Sequence, residues 1–213
     1  MKKLKAELIR KTPETRLYNI PVPIIGLTGG IATGKSTVAE LFRKNNIPVI
    51  DADRLVKLIY QMPETKTFIQ KNFPQVIVED LIVFQKLREI AFSNADSKKK
   101  LEDYIYAHLP NEFKKAFQEF SNPTFIIYDV PLLFEKNLNE FVDFSVCIYA
   151  PRKTQIERLM FRDRSTHEMA ETIINQQMDI EEKKNLADFT IHNTAGPLEL
   201  ETQVLQFIKD ISH

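Results

Sequence analysis

Apolar residues along this chain fall into two spacings, and each spacing predicts a kind of element. Ile24-Ile-Gly-Leu-Thr28, Ile47-Pro-Val-Ile50, Thr124-Phe-Ile-Ile-Tyr-Asp129 and Phe144 to Ala150 are short runs rich in apolar and β-branched residues. Such runs read as strands, and the last two, continuous and apolar, have the pattern of parallel strands covered on both faces. Between them the period lengthens: Val38, Ala39, Leu41 and Phe42 share one helical face, and Leu55 to Gln61 and Lys153 to Phe161 also read as helices. Ser165-x-x-Glu168 has capping-box spacing and predicts the start of another helix. Phe189-Thr-Ile-His192 predicts a last short strand, and Pro197 suits the first turn of a terminal helix carrying Leu200, Val204 and Phe207.

Strands alternating with helices predict an α/β fold with a doubly wound parallel sheet. Residues 63–120 read as mostly helical, with Leu109-Pro110 dividing two amphipathic stretches. Lying between two strands, this block is expected to be an inserted lobe in a domain of residues 24–213. Residues 1–23 are polar, end in Pro21-Val-Pro23, and read as an arm with a short helix over Leu4, Leu8 and Ile9.

Composition narrows the function classes. A chain of 213 residues fits one domain with an insertion. Lys plus Arg equals Asp plus Glu at 29 each, so net charge supplies no footprint for nucleic acid or an anionic membrane. No apolar stretch reaches the roughly 18 residues of a spanning helix, and the first residues lack a signal-peptide core. The lone Cys147, inside an apolar run, excludes an internal disulfide and fits a reducing compartment, so the expected location is cytoplasmic. No obligate protein partner is evident. His108, His167, His192 and His213 show no metal-ligand spacing, which argues against a structural metal.

The chemistry is concentrated where the first strand meets the first helix. Gly29-Gly-Ile-Ala-Thr-Gly34-Lys35-Ser36 satisfies G-x-x-x-x-G-K-[ST] in the strand–turn–helix context that this motif requires. Of five glycines in the chain, Gly26, Gly29, Gly30 and Gly34 fall within nine residues, so backbone freedom gathers where the chain must wrap an anion. Loop amides and the helix N-terminus would face the β-phosphate of ATP. Lys35 would reach the β- and γ-phosphates, and Ser36 would ligate Mg²⁺. Phe125-Ile-Ile-Tyr-Asp129 has the form of a Walker B strand, which would set Asp129 near the metal through water or leave it a turn aspartate.

A phosphate loop leaves function open. A GTPase switch would carry Asn-Lys-x-Asp, and Asn-Lys does not occur; the Leu-Ser-Gly-Gly-Gln signature of a transporter ATPase is missing too. A small-molecule kinase needs an acceptor carboxylate and a basic lid. Asp53 and Asp51 compete for the first role: an extended backbone would aim both to one face, a turn after Asp51 would part them, and either could merely cap the next helix. Arg158 and Arg162, four apart on a predicted helix, would present two guanidinium groups to phosphate oxygens or else line a solvated face with Glu157 and Asp163.

The ordered set Gly26-Leu-Thr-Gly-Gly-Ile31, Gly34-Lys-Ser-Thr37, Val49-Ile-Asp-Ala-Asp53, Asp129-Val-Pro-Leu-Leu-Phe-Glu135 and Gln155-x-x-Arg158-Leu-x-x-Arg162-Asp163 resembles the dephospho-coenzyme A kinase family. Lys184-x-x-Ala187-Asp188 followed by Ile191-x-Asn193-x-x-Gly196 agrees, and the likeness runs from Ile24 to about Val204. The resemblance implies that ATP phosphorylates the ribose 3′-hydroxyl of dephospho-coenzyme A, with Mg²⁺ as cofactor. A P-loop kinase for another small hydroxyl compound is the alternative. It further implies Asp53 as base, with Lys35, Arg158 and Arg162 completing the catalytic set and a lid over about 152–178. Gly29, Gly30, Ile31, Ala32, Thr33, Gly34, Lys35, Ser36, Thr37, Asn193 and Gly196 would bind ATP. The insertion would take the acceptor, with Asp53, His108, Leu132 and Leu133 in contact.

Departures cluster in the insertion. Asp80-Leu81 and Val83-Phe84 stand where the family often has Asp-Gly and Asp-Arg, and His108-Leu109-Pro110 replaces a His-Pro pair. His192 occupies a position that is commonly Asp, and residues 1–23 precede the usual start. These changes bear on the acceptor contacts rather than on phosphoryl chemistry.

Overall fold

The computed structural model describes residues 2–213, without the side chain of Phe92. The chain divides into two compact units: Met1–Asp51 with Phe120–His213, and Ala52–Glu119.

The first unit is built on a five-stranded, all-parallel sheet. Its strands are β1 (Ile24–Gly29), β2 (Val49–Asp51), β5 (Ile126–Asp129), β6 (Phe144–Tyr149) and β7 (Phe189–His192), in the order β2-β5-β1-β6-β7. The apolar runs are continuous because β1, β5 and nearly all of β6 are buried on both faces. Helix α1 (Lys35–Lys44) leaves the central strand, and its Val38, Leu41 and Phe42 join Ile25, Leu27, Ile127 and Val146 in the core. The terminal helix α9 (Pro197–Ile211) adds Leu200, Val204 and Phe207 to that core. Because the chain first winds to one side of β1 and later crosses to the other, the carboxyl end of β1 is a topological switch point, where open α/β sheets bind ligands.

Residues 1–23 hold more structure than their polarity predicts. The expected helix shrinks to a single 3-10 turn, Ala6–Leu8, while Leu4 is buried in an antiparallel bridge with Ser212. Arg16 donates from Nε to Asp143 Oδ2 at 2.8 Å, with both side chains buried, and Asp143 also accepts from the amides of Arg10, Lys11 and Ile24. A buried carboxylate with that many donors is well satisfied, so the arm is fastened to the start of β1.

The second unit is helical apart from one hairpin. It contains α2 (Ala52–Gln61), α3 (Pro63–Asn72), α4 (Phe84–Ser93) and α5 (Ala95–Gln118), with β3 (Ile77–Val78) paired antiparallel to β4 (Leu81–Ile82). Two expectations fail here. The hairpin turns on Glu79 and Asp80, at φ 48° and 65°, a primed-turn geometry normally signalled by glycine or asparagine. Asp80 is held by Lys66 and by Gln70, which donates at 3.2 Å. Nor does Pro110 end a helix: α5 continues through it. Leu101, Ile105, Leu109 and Phe113 recur every four residues and are all buried. That stripe outweighs the roughly 3 kcal/mol an interior proline costs.

Candidate active site

The turn between β1 and α1 is shaped by groups that arrive from distant parts of the first unit. Gly34 sits at φ 94°, and a Cβ there would lie 2.2 Å from Asn193 Nδ2. A Cβ on Gly30 would lie 2.5 Å from Oε1 of Gln155, a buried residue whose Nε2 donates to Ala150 O at 3.0 Å. Glycine is therefore demanded by protein atoms. Asn193 donates to Thr33 O at 2.8 Å, Thr33 Oγ1 donates to Gly30 O at 2.9 Å, and Ile31 and Ala32 pack against Ile156, Leu159, Ala170 and Ile174. The loop is thus preformed; Thr37 N and Val38 N donate to Gly34 O at 3.0 and 3.2 Å, which leaves the amides of Lys35 and Ser36 at the start of α1 for whatever the loop encloses.

Lys35 opens α1 and pairs with Asp129, the last residue of β5. Asp129 is 3% exposed and lies in register with Leu27 on one side and Asp51 on the other. Ser36 and Thr37 follow Lys35 and are exposed. Hydroxyl and carboxylate oxygens are hard donors of the kind Mg²⁺ takes, so Ser36 and Asp129 fit that ion. Among the described residues no group of three or more His, Cys, Asp or Glu gathers for metal binding, so phosphate oxygens and water would complete the shell.

The two arginines have different surroundings. Helix α6 (Arg152–Asp163) carries both. Half-buried Arg158 donates to Asn193 O at 3.0 Å and to Ala32 O at 3.5 Å, tying α6 to the phosphate loop and to the end of β7. Arg162 is exposed and held by Asp163 through contacts of 2.6 and 2.8 Å. The next helix, α7 (His167–Ile174), is capped one residue later than its spacing predicts: Thr166 Oγ1 accepts from Met169 N at 3.3 Å, while Ser165 Oγ is buried without a partner.

Asp51 and Asp53 are parted, because helix α2 starts at Ala52. Asp51 closes β2, and Asp53 is exposed in the first turn of α2. His108 lies on α5, its Nδ1 2.8 Å from Tyr104 O, beside a cavity of about 290 Å³ with Met62, Glu64 and Lys115. Leu132 is half-buried. Leu133 must be withdrawn as an acceptor contact: it is fully buried, and its Cδ atoms lie 3.0 Å from where a Gly26 Cβ would be, so it packs the sheet. Gly196 is extended at the N-cap of α9, and a Cβ there would meet nothing within 4 Å, so packing does not demand a glycine.

Sequence reasoning missed one cluster beside the site. Lys183 of α8 (Ile180–Leu186) is fully buried; its Nζ donates to Pro131 O at 2.7 Å and pairs with Glu135 Oε1 at 2.8 Å. Pro131 O also accepts from Thr28 of β1 at 3.1 Å, and Glu135 Oε1 accepts from Met178 N at 3.1 Å. The segment after β5 is therefore clamped to β1 and α8. A signal existed: Lys183 stands three after Ile180 and four before Ala187, on the face where an apolar residue is expected.

The dephospho-CoA kinase family profile matches residues 23–199. A dephospho-CoA kinase of Fusobacterium nucleatum is 35% identical over 192 residues, covering 89% of this chain and 99% of that protein. Among solved structures, a Thermus thermophilus protein aligns with a TM-score of 0.83 at 27% identity, over 89% of this chain and 97% of its own. A dephospho-CoA kinase from Campylobacter jejuni aligns at 0.61 and 27%, over 88% and 96%.

Proposed function

The chain belongs to the dephospho-CoA kinase family, and from that premise we infer that it transfers the γ-phosphoryl group of ATP to the ribose 3′-hydroxyl of dephospho-coenzyme A. The observation that carries the reading is the preformed glycine cradle, closed by Asn193 and Gln155 around the start of α1. Phosphoryl transfer asks a protein mainly for positioning and for charge stabilisation.

Lys35 would exchange Asp129 for the β- and γ-phosphates. Bound Mg²⁺ would neutralise charge on those phosphates, held by Ser36 and, through water, by Asp129. Arg158 keeps the loop shut from behind through Ala32 and Asn193. Arg162 would turn from Asp163 toward the charge that develops on the moving phosphoryl group. As the bond from the 3′-oxygen to phosphorus forms and the bond to the β-phosphate oxygen breaks, Asp53 would take the hydroxyl proton and ADP would leave. A reducing, ATP-rich compartment such as the cytoplasm suits a chain whose single cysteine is a buried thiol.

A coupled assay of ATP consumption against dephospho-coenzyme A, nucleoside monophosphates and simple alcohols tests the assignment. Turnover is expected with dephospho-coenzyme A. Turnover with another acceptor and none with this one would overturn it and leave a generic P-loop kinase. Asp53→Asn should retain ATP binding and lose roughly 10²–10⁴-fold in kcat, with Asp51→Asn milder. The opposite ranking would move the base to Asp51.

A further inference from the structure

Helices α6 and α7 form a hairpin that carries both arginines, and its two stems are joined at the base. Arg152, the first residue of α6, donates to Oδ1 of Asn175, just past α7, at 2.6 Å. Along its length Ile156 and Leu159 of α6 cluster with Ala170 and Ile174 of α7. A hairpin tied at the base and packed between its helices is displaced as one body, so its place depends on what holds its ends. The entry is held by Gln155, whose Nε2 donates to Ala150 O at 3.0 Å. The exit is held by Glu135, whose Oε1 accepts from Met178 N at 3.1 Å.

Glu135 can hold that exit because it is itself fixed. Lys183 Nζ lies 2.8 Å from the same Oε1 and donates to Pro131 O, which also accepts from Thr28 of β1. A chain of polar contacts therefore runs from Thr28, one residue before the phosphate loop, through Pro131, Lys183 and Glu135 to Met178. Charge-assisted contacts in a largely buried setting resist distortion more than exposed ones. A second observation marks the same place. Among the described residues, the buried side-chain atoms without a partner include Glu135 Oε2, Gln177 Oε1 and Ser165 Oγ. Ser165 lies in the turn of the hairpin, Gln177 lies at its exit, and Glu135 holds that exit. Buried polar atoms are seldom left unsatisfied, and those that are gather where function tolerates strain.

We propose that Glu135 is a positioning residue for phosphoryl transfer: through Met178 it fixes the exit of the α6–α7 hairpin, and with it the place that Arg158 and Arg162 take at the transferring group. The proposal rests on the kinase reading above. Glu135 acts by reach rather than by touching a reacting atom, and a misplacement of about 1 Å in a supporting group can cost about 10²-fold in rate.

The test separates reach from charge. Glu135→Asp keeps the charge beside Lys183 and draws the oxygen back by one methylene; Glu135→Gln keeps the reach and removes the charge. Turnover at saturating ATP, with the acceptor that the wild type phosphorylates, is compared with urea unfolding of the same variants. Positioning predicts a crossover. In Glu135→Asp kcat should fall roughly tenfold or more with KM for ATP within about twofold, and in Glu135→Gln it should fall less, although Glu135→Gln is the less stable of the two. The chain has no tryptophan, so Phe161→Trp, at a position 90% exposed on α6, supplies a single fluorophore on the hairpin. With a non-hydrolysable ATP analogue bound, the emission maximum of this chain should shift on adding Glu135→Asp and stay in place on adding Glu135→Gln. If kcat follows stability, so that Glu135→Gln is worse in both, Glu135 is a structural clamp alone and the proposal is overturned. Wild-type kcat in both variants, or an unmoved emission in Glu135→Asp, overturns it as well. If Glu135→Gln does not fold, Glu135→Asp decides by turnover and emission. A wild type that phosphorylates an acceptor other than dephospho-coenzyme A overturns the acceptor reading and leaves the crossover to be read on that acceptor.

Discussion

Lys35 and Lys183 both pair with carboxylates at or just after the end of β5, Asp129 and Glu135, yet they are held differently. Lys35 keeps 14% of its side chain exposed and is paired with a single carboxylate; Lys183 has no exposure and divides its charge between Glu135 and the Pro131 carbonyl. An ammonium with a wet face can trade its partner for a phosphate. One enclosed by two acceptors cannot, because leaving them would strand a buried charge. The lysine of the motif is therefore suited to exchange, and the lysine outside it to geometry.

The comparison can be broken most severely at Lys35. Lys35→Ala should lower turnover on the order of 10³-fold, since a charge facing the transferring group is lost. The fold should be retained with some loss of thermal midpoint, because Asp129 is left buried without its cation. A variant with near-normal kinase activity would falsify the exchange role. Lys183→Met is expected to do the reverse, costing about 3 kcal/mol in urea unfolding by leaving Glu135 without its cation. The double variant Lys183→Met with Glu135→Leu should recover part of that loss. If the single change leaves stability untouched, Lys183 is no clamp.

Smaller effects sharpen the picture. Arg162→Ala should lower kcat by roughly tenfold with little change in KM for ATP, the signature of a contact made mainly in the transition state. Unchanged kinetics would leave Arg162 as the exposed partner of Asp163. Cys147 probes the interior near the clamp: burial pushes its thiol up to about 12, against the opposing pull of Lys183 and Lys184. At pH 8 almost no thiolate exists in the native state, so alkylation should wait for unfolding. Labelling of native protein at the rate of a free thiol would contradict that burial.

How far each of these features was legible depended on the range of its cause. The strands at Ile24, Thr124 and Phe144 were legible because burial on both faces leaves an unbroken apolar run. The phosphate loop was legible because its glycines and Lys35 act within eight consecutive residues. Elements set by remote packing were misread: α5 runs through Pro110 on the strength of a buried stripe, and the hairpin at Glu79-Asp80 forms without a glycine. Leu133 was expected at the acceptor on the family resemblance alone, but its side chain fills the space beside Gly26.

The amino-acid order by itself determined the alternation of strand and helix, the phosphate-binding turn and the carboxylates at the ends of the second and third predicted strands, since each follows from periodicity or from residues a few positions apart. Only the tertiary structure decided that Asp51 and Asp53 part at the start of α2, that Arg158, expected in a lid, and Asn193, expected at ATP, brace the phosphate loop, that Arg16 crosses to Asp143, and that Lys183 lies buried against Pro131 and Glu135. Those pairs are joined across dozens of residues. Their energies come from desolvation and from donors and acceptors meeting in the folded core, quantities that no local window of sequence contains.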